Sequence, residues 1–91
     1  MASEQSITEL LHAWQRGDMQ ALERLAPLVR DRLRRIAERH LRGEAQGHSW
    51  QTSDLMQEVW LKLLEQDGAA WQDREHFFSL ASRQMRHLLV S

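Results

Sequence analysis

The chain has no cysteine and no tyrosine, one proline and four glycines in 91 residues. Without cysteine there are no disulfides, no thiolate chemistry and no cysteine-ligated zinc. So little proline and glycine argues against a turn-rich β-sandwich. No apolar run approaches the roughly 20 residues that span a bilayer. The N-terminus, Met-Ala-Ser-Glu-Gln-Ser, lacks the basic-then-apolar pattern of a signal peptide. Lysine is nearly absent too: of 12 basic residues only Lys62 is not arginine. Arginine is the better residue for two-pronged contacts to phosphate or carboxylate. A cytoplasmic protein of one domain is expected, with 42% apolar and 27% charged residues in ordinary globular proportion.

What is present is helix-forming: Ala, Leu, Gln, Glu and Arg dominate. The patterning predicts an all-α bundle of four helices, over about 6–16, 18–42, 53–66 and 74–90. Ser6-Ile7-Thr8-Glu9 has the form of a capping box, and Ile7, Leu10, Leu11 and Trp14 make one stripe. Gly17 ends that helix and Asp18 caps the next. In the second helix Leu22, Leu25, Ala26, Val29, Leu33, Ile36, Ala37 and Leu41 keep one phase across Pro27. This predicts a kink near Leu25–Pro27 rather than a break. Gly43 stops the helix, and residues 43–51 read as a loop.

Thr52 or Ser53 is expected to cap the third helix, with Asp54 in its first turn. Leu55, Met56, Val59, Trp60, Leu63 and Leu64 give it a wide apolar arc, so it is expected at the centre of the bundle. Residues 67–73 form a second loop, and Asp73 caps the fourth helix. Phe77, Phe78, Ala81, Met85, Leu88 and Leu89 form its buried stripe. The chain stops at Ser91 without a C-cap, as if cut.

A net charge of −1 hides segregation. Arg30, Arg32, Arg34, Arg35, Arg39 and Arg42 stand against Asp31 and Glu38. Between Glu44 and Asp73 six acids face only Lys62, and the last stretch is basic again. The pairs Asp31–Arg35, Glu38–Arg42 and Glu58–Lys62 have the i,i+4 spacing of helix-surface ion pairs, so a solvated face explains these charges as readily as a polyanion site does.

Catalytic patterns are missing. The histidines, at 12, 40, 48, 76 and 87, include no His-Glu-x-x-His and no pair at i,i+3 or i,i+4. There is no Gly-rich phosphate loop and no nucleophile elbow. No enzyme activity, metal or cofactor is expected.

Asp54-Leu55-Met56-Gln57-Glu58-Val59-Trp60-Leu61-Lys62-Leu63 resembles the Asp-Leu-x-Gln-Glu-x-aromatic-Leu-x-Leu helix of bacterial RNA polymerase sigma factors. Leu10-Leu11-His12-Ala13-Trp14-Gln15-Arg16-Gly17-Asp18 resembles the leading helix and Gly-Asp turn of the extracytoplasmic-function (ECF) group. Leu25-Ala26-Pro27-Leu28-Val29 and Leu33-Arg34-Arg35-Ile36-Ala37 resemble its long helix. Trp71-Gln72-Asp73-Arg74-Glu75-His76-Phe77-Phe78-Ser79-Leu80-Ala81 resembles the last helix of one subgroup. The resemblance covers nearly the whole chain but only the family's second conserved region. The C-terminal helix-turn-helix domain that reads the minus-thirty-five element is missing.

The resemblance implies a transcription initiation domain with two tasks. One is docking on the clamp helices of the polymerase β′ subunit, carried by Asp54, Gln57 and Glu58 with Lys62 and Glu65 at the edge. An exposed row of such acceptors suits arginine partners, and a two-pronged pair fixes register. The other is recognising and melting the promoter minus-ten element. Gln66–Asp73 would capture a base flipped from the non-template strand, and Trp71, Arg74, Arg83, Arg86, His87, Arg34 and Arg39, with Arg30 a weaker candidate, would contact DNA. Trp71 has two open roles: stacking on a base, or plugging the end of the core. The loop's acids, Asp67 and Asp73, oppose phosphate approach, so free DNA binding should be weak and salt-sensitive. An anti-sigma protein could occupy the same surfaces; no membrane contact is implied. Two other readings stay open: a self-associating helical module whose apolar faces form a dimer, and a truncated sigma-like competitor for the clamp.

Overall fold

A computed structural model describes residues 4–43, 50–65 and 71–90, and all the regular structure among them is helical. The elements are α1 (Glu4–Gln15), α2 (Met19–Arg42), α3 (Thr52–Leu64) and α4 (Arg74–Val90). α1 begins earlier than expected: Ser6 lies inside the helix, so the capping-box reading at Ser6–Glu9 does not hold.

The turn from α1 to α2 follows from two residues. Gly17 takes φ 101°, a left-handed backbone that glycine adopts without a Cβ penalty. The Gly17 amide then donates to Trp14 O at 2.8 Å and the Asp18 amide to Ala13 O at 3.0 Å, closing the helix end with paired bonds. The Asp18 carboxylate accepts from the Gln20 and Ala21 amides at 3.0 and 3.3 Å and so starts α2.

α2 runs unbroken through Pro27 to the cap at Gly43. Its buried positions, Ala21, Leu25, Val29, Leu33 and Ala37, repeat every four residues and face one core. Pro27 and Glu23, whose carbonyl loses its helical donor, are both exposed, so water can take the missing bond.

α3 departs from expectation at its start. Gln51 is the N-cap and makes no side-chain capping bond; Thr52 is already helical. α3 also does not sit at the centre. α2 packs against each of the other three helices, whereas α3 meets only α2 and α4.

One core unites the helices. Leu11 of α1, Leu25, Val29, Leu33 and Ala37 of α2, Leu55, Val59 and Leu63 of α3, Phe77, Phe78, Ala81 and Met85 of α4, and Trp71 before α4 form a single buried cluster. Fully burying a large apolar side chain contributes roughly 1.5–3 kcal/mol, so this cluster carries the fold. Of the expected α4 stripe, Leu88 and Leu89 are only partly buried at its edge.

Contacts fix the helix directions. Arg32 meets Glu75 and His40 meets Ser82, so the C-terminal half of α2 runs parallel to α4. Trp14 meets Trp71 and Thr8 meets Arg74, so α1 runs against α4. Most of the expected loop at 43–51, and the stretch 66–70 with Asp67, lie outside the described residues.

Candidate functional site

Three surfaces gather the residues that carry chemistry. The first is the outer side of α3. With Leu55, Val59 and Leu63 buried, helical geometry turns Asp54, Gln57, Glu58, Leu61, Lys62 and Glu65 outward, and all six are exposed. Leu61, 46% exposed, puts an apolar side chain inside this polar row. Glu58 and Lys62 do not close the expected pair: among the described residues the ion pairs are Arg32–Glu75 and Arg74–Glu75. Among the described residues the carboxylates of this row are therefore uncommitted.

Met56 and Trp60, half-buried on the flank of α3, border a groove against α2 of about 330 Å³. Ala26 and Leu33 add apolar lining, and Arg30, Arg34, Ser53 and Gln57 are its polar lining. A second depression joins Trp50 to Asp54, Gln57 and Glu58. Trp50 escaped the sequence reading because it lies in a stretch without periodicity; an aromatic just before a helix start was the available signal.

The second surface is the seam between the parallel α2 and α4. The Arg32 guanidinium donates to both Glu75 carboxylate oxygens, at 3.3 and 3.1 Å, while its carbon lies 4.4 Å above the Phe78 ring. One arginine thus closes the seam by a forked ion pair and a cation–π contact. Further along, His40 Nε2 and Ser82 Oγ are 2.8 Å apart. Arg35 and Arg39 flank a cleft of about 350 Å³ here, with Ser79 on the far wall.

The third surface is the entry to α4. The Asp73 carboxylate accepts from the His76 amide at 2.9 Å, the expected cap. Trp71 is only 4% exposed. It stacks on Trp14 at 6.1 Å and 20°, and meets Phe77 edge-on at 5.1 Å.

The family model for ECF sigma factors matches residues 4–91. The chain belongs to the ECF sigma factor family. No curated protein and no solved structure gives a significant match. As a family member it has its role in transcription initiation, with RNA polymerase and promoter DNA as partners. Sigma factors are not a class of enzyme. Among the described residues no helix is long and apolar enough to cross a membrane.

In this sigma factor the expected DNA residues do not form one patch. Arg30 and Arg34 border the α3 groove beside Gln57, whereas Arg39 lies on the α4 seam. Residues 30 and 34 are one turn apart, and 39 is on a different face; a count of charge along the chain does not see this. Arg83, Arg86 and His87 are exposed on the last turns of α4. Arg74 is half-buried, with Nε 3.7 Å from Glu75. Of the two roles left open for Trp71, its burial fits the plug: among the described residues its ring stacks on Trp14 and meets Phe77 edge-on at the end of the bundle. The expected polymerase-docking residues Asp54, Gln57, Glu58, Lys62 and Glu65 do share one exposed face, although Gln57 also belongs to the groove.

Proposed function

We propose that the chain is the polymerase- and promoter-binding region-two domain of its family, docking on the β′ clamp helices and opening the minus-ten element. The observation that carries the docking is the uncommitted row Asp54, Gln57, Glu58, with Lys62 and Glu65 at its edge, beside an apolar groove. Exposed charges supply specificity and association rate more than affinity, so burial must come from elsewhere. Met56 and Trp60 offer that burial one helical step from the charged row. Arginine side chains of the clamp would pair with the carboxylates, and Gln57 would join the two parts of the contact.

Promoter opening falls to the other end. The chain leading into α4 takes the flipped base, and Arg39, Arg83, Arg86 and His87 follow the backbone phosphates, with Arg74 at the entry. Arg34 sits beside the groove and is the member of this set nearest the docking face. Trp71 supports the base site from below as part of the core.

Titration against an isolated β′ clamp-helix fragment tests the docking. Saturable binding is expected, weakened at least tenfold by Gln57→Ala/Glu58→Ala, which corresponds to about 1.4 kcal/mol or more. Absence of binding by the folded chain at high micromolar concentration would overturn the docking. A stable dimer that buries α3 would favour the self-associating module instead.

A further inference from the structure

We infer that α1 is the positioning element for the promoter-reading end: Thr8, His12 and Trp14 hold residues 71–74 in the place from which α4 begins. The inference rests on the promoter-opening reading given above. It adds a role for a helix that carries none of the residues assigned to polymerase or DNA.

Residues 71–73 precede α4: the Asp73 carbonyl joins its ladder by accepting from the Phe77 amide at 3.1 Å, but the Gln72 peptide groups have no ladder to join. Such groups need partners from elsewhere. His12 Nε2 lies 3.0 Å from the Gln72 carbonyl oxygen. A carbonyl carries no proton, so the imidazole donates. The Gln72 amide donates to His76 Nδ1 at 3.2 Å. The Arg74 amide, one of the first amides of α4 and without a helical acceptor, donates to Thr8 Oγ1 at 3.3 Å. Trp14 then closes over Trp71 from α1. Within four residues the segment meets α1 three times, and these bonds span 60 and 66 positions of the chain.

Apolar packing alone would hold the Trp71 ring. It would not select the orientation of the Gln72 peptide or of the first α4 turn. The His12 and Thr8 bonds do, because each fixes one backbone group in direction. A segment ordered in advance loses less conformational freedom when it receives a base. Thr8 and His12 are partly exposed and absent from the core cluster, so they can be changed without opening a cavity.

His12→Ala, Thr8→Val and the conservative His12→Gln separate this role from general stability. Three readouts are taken: affinity for core polymerase, opening of a minus-ten template followed by 2-aminopurine fluorescence, and hydrogen exchange of the Gln72 and Arg74 amides. The expected result for His12→Ala and Thr8→Val is polymerase affinity within twofold of wild type and promoter opening reduced about five- to tenfold, the range set by losing one or two oriented hydrogen bonds. Arg74 exchange should rise in Thr8→Val, and His12→Gln, which keeps a donor near the carbonyl, should recover most of the opening. Unchanged opening in both variants would overturn the inference. So would a parallel loss of polymerase affinity and opening, which would make α1 a support of the whole fold. A wild-type chain that binds polymerase but opens no promoter would overturn the promoter-opening reading itself. The positioning role would fall with it, and unaltered amide exchange in the variants would show separately that the contacts hold nothing.

Discussion

α3 and α4 begin in opposite ways. The start of α3 has no side-chain cap, and its outer face keeps Asp54, Gln57 and Glu58 out of any ion pair among the described residues. The start of α4 has an aspartate cap, two bonds to α1 and a stacked tryptophan beneath it. Polar groups that the fold does not use are available to another molecule; polar groups that the fold does use set geometry. The proposed docking face is of the first kind. The proposed promoter-reading end is of the second, where precise placement counts more than spare valence.

Substitution should separate the two helix starts in a graded series. Trp71→Ala removes the plug under α4 and should cost about 3–5 kcal/mol, measured by urea denaturation, as for other buried large aromatics. A loss below about 1 kcal/mol would mean that the end of the bundle does not depend on this ring. The caps come next. Asp73→Ala should destabilise by about 1 kcal/mol, while Gln51→Ser, which supplies α3 with the side-chain acceptor it lacks, should stabilise by about 0.5–1 kcal/mol. Equal and negligible changes at both positions would erase the contrast between the helix starts. The smallest effect belongs to the α2–α4 seam. Glu75→Gln breaks the Arg32 fork at a site where the side chains are 39% and 59% exposed, so the loss should be about 0.5 kcal/mol and should fade in 1 M salt.

The core was legible in the sequence because it repeats. Leu25, Val29, Leu33 and Ala37 recur at one phase of the helix, and this periodicity survives even Pro27. Asp18 and Asp73 were legible as caps because their chemistry is local, acting two or three residues away. The cap at Thr52 or Ser53 was misread, because either side chain could serve and only the backbone decides where the helix starts. The apolar arc of α3 was mistaken for central position; part of that arc, Met56 and Trp60, borders an open groove. The acidic row was readable from its spacing, but the bonds of His12 to Gln72 and of Thr8 to Arg74 were not. They join residues 60 and 66 positions apart, and no local pattern announces them. The fate of Trp71 was open for the same reason, since its partner Trp14 lies three helices back.

The parallel course of α2 and α4 has an electrostatic consequence. Peptide dipoles in the two helices point the same way, so both negative ends lie toward one end of the molecule. The last turn of α2 carries the cations Arg39 and Arg42, with His40 between them, and that of α4 carries His87. Part of this positive charge therefore offsets the carbonyl ends of the protein's own helices. A phosphate approaching this end would meet a field weaker than the count of basic residues suggests.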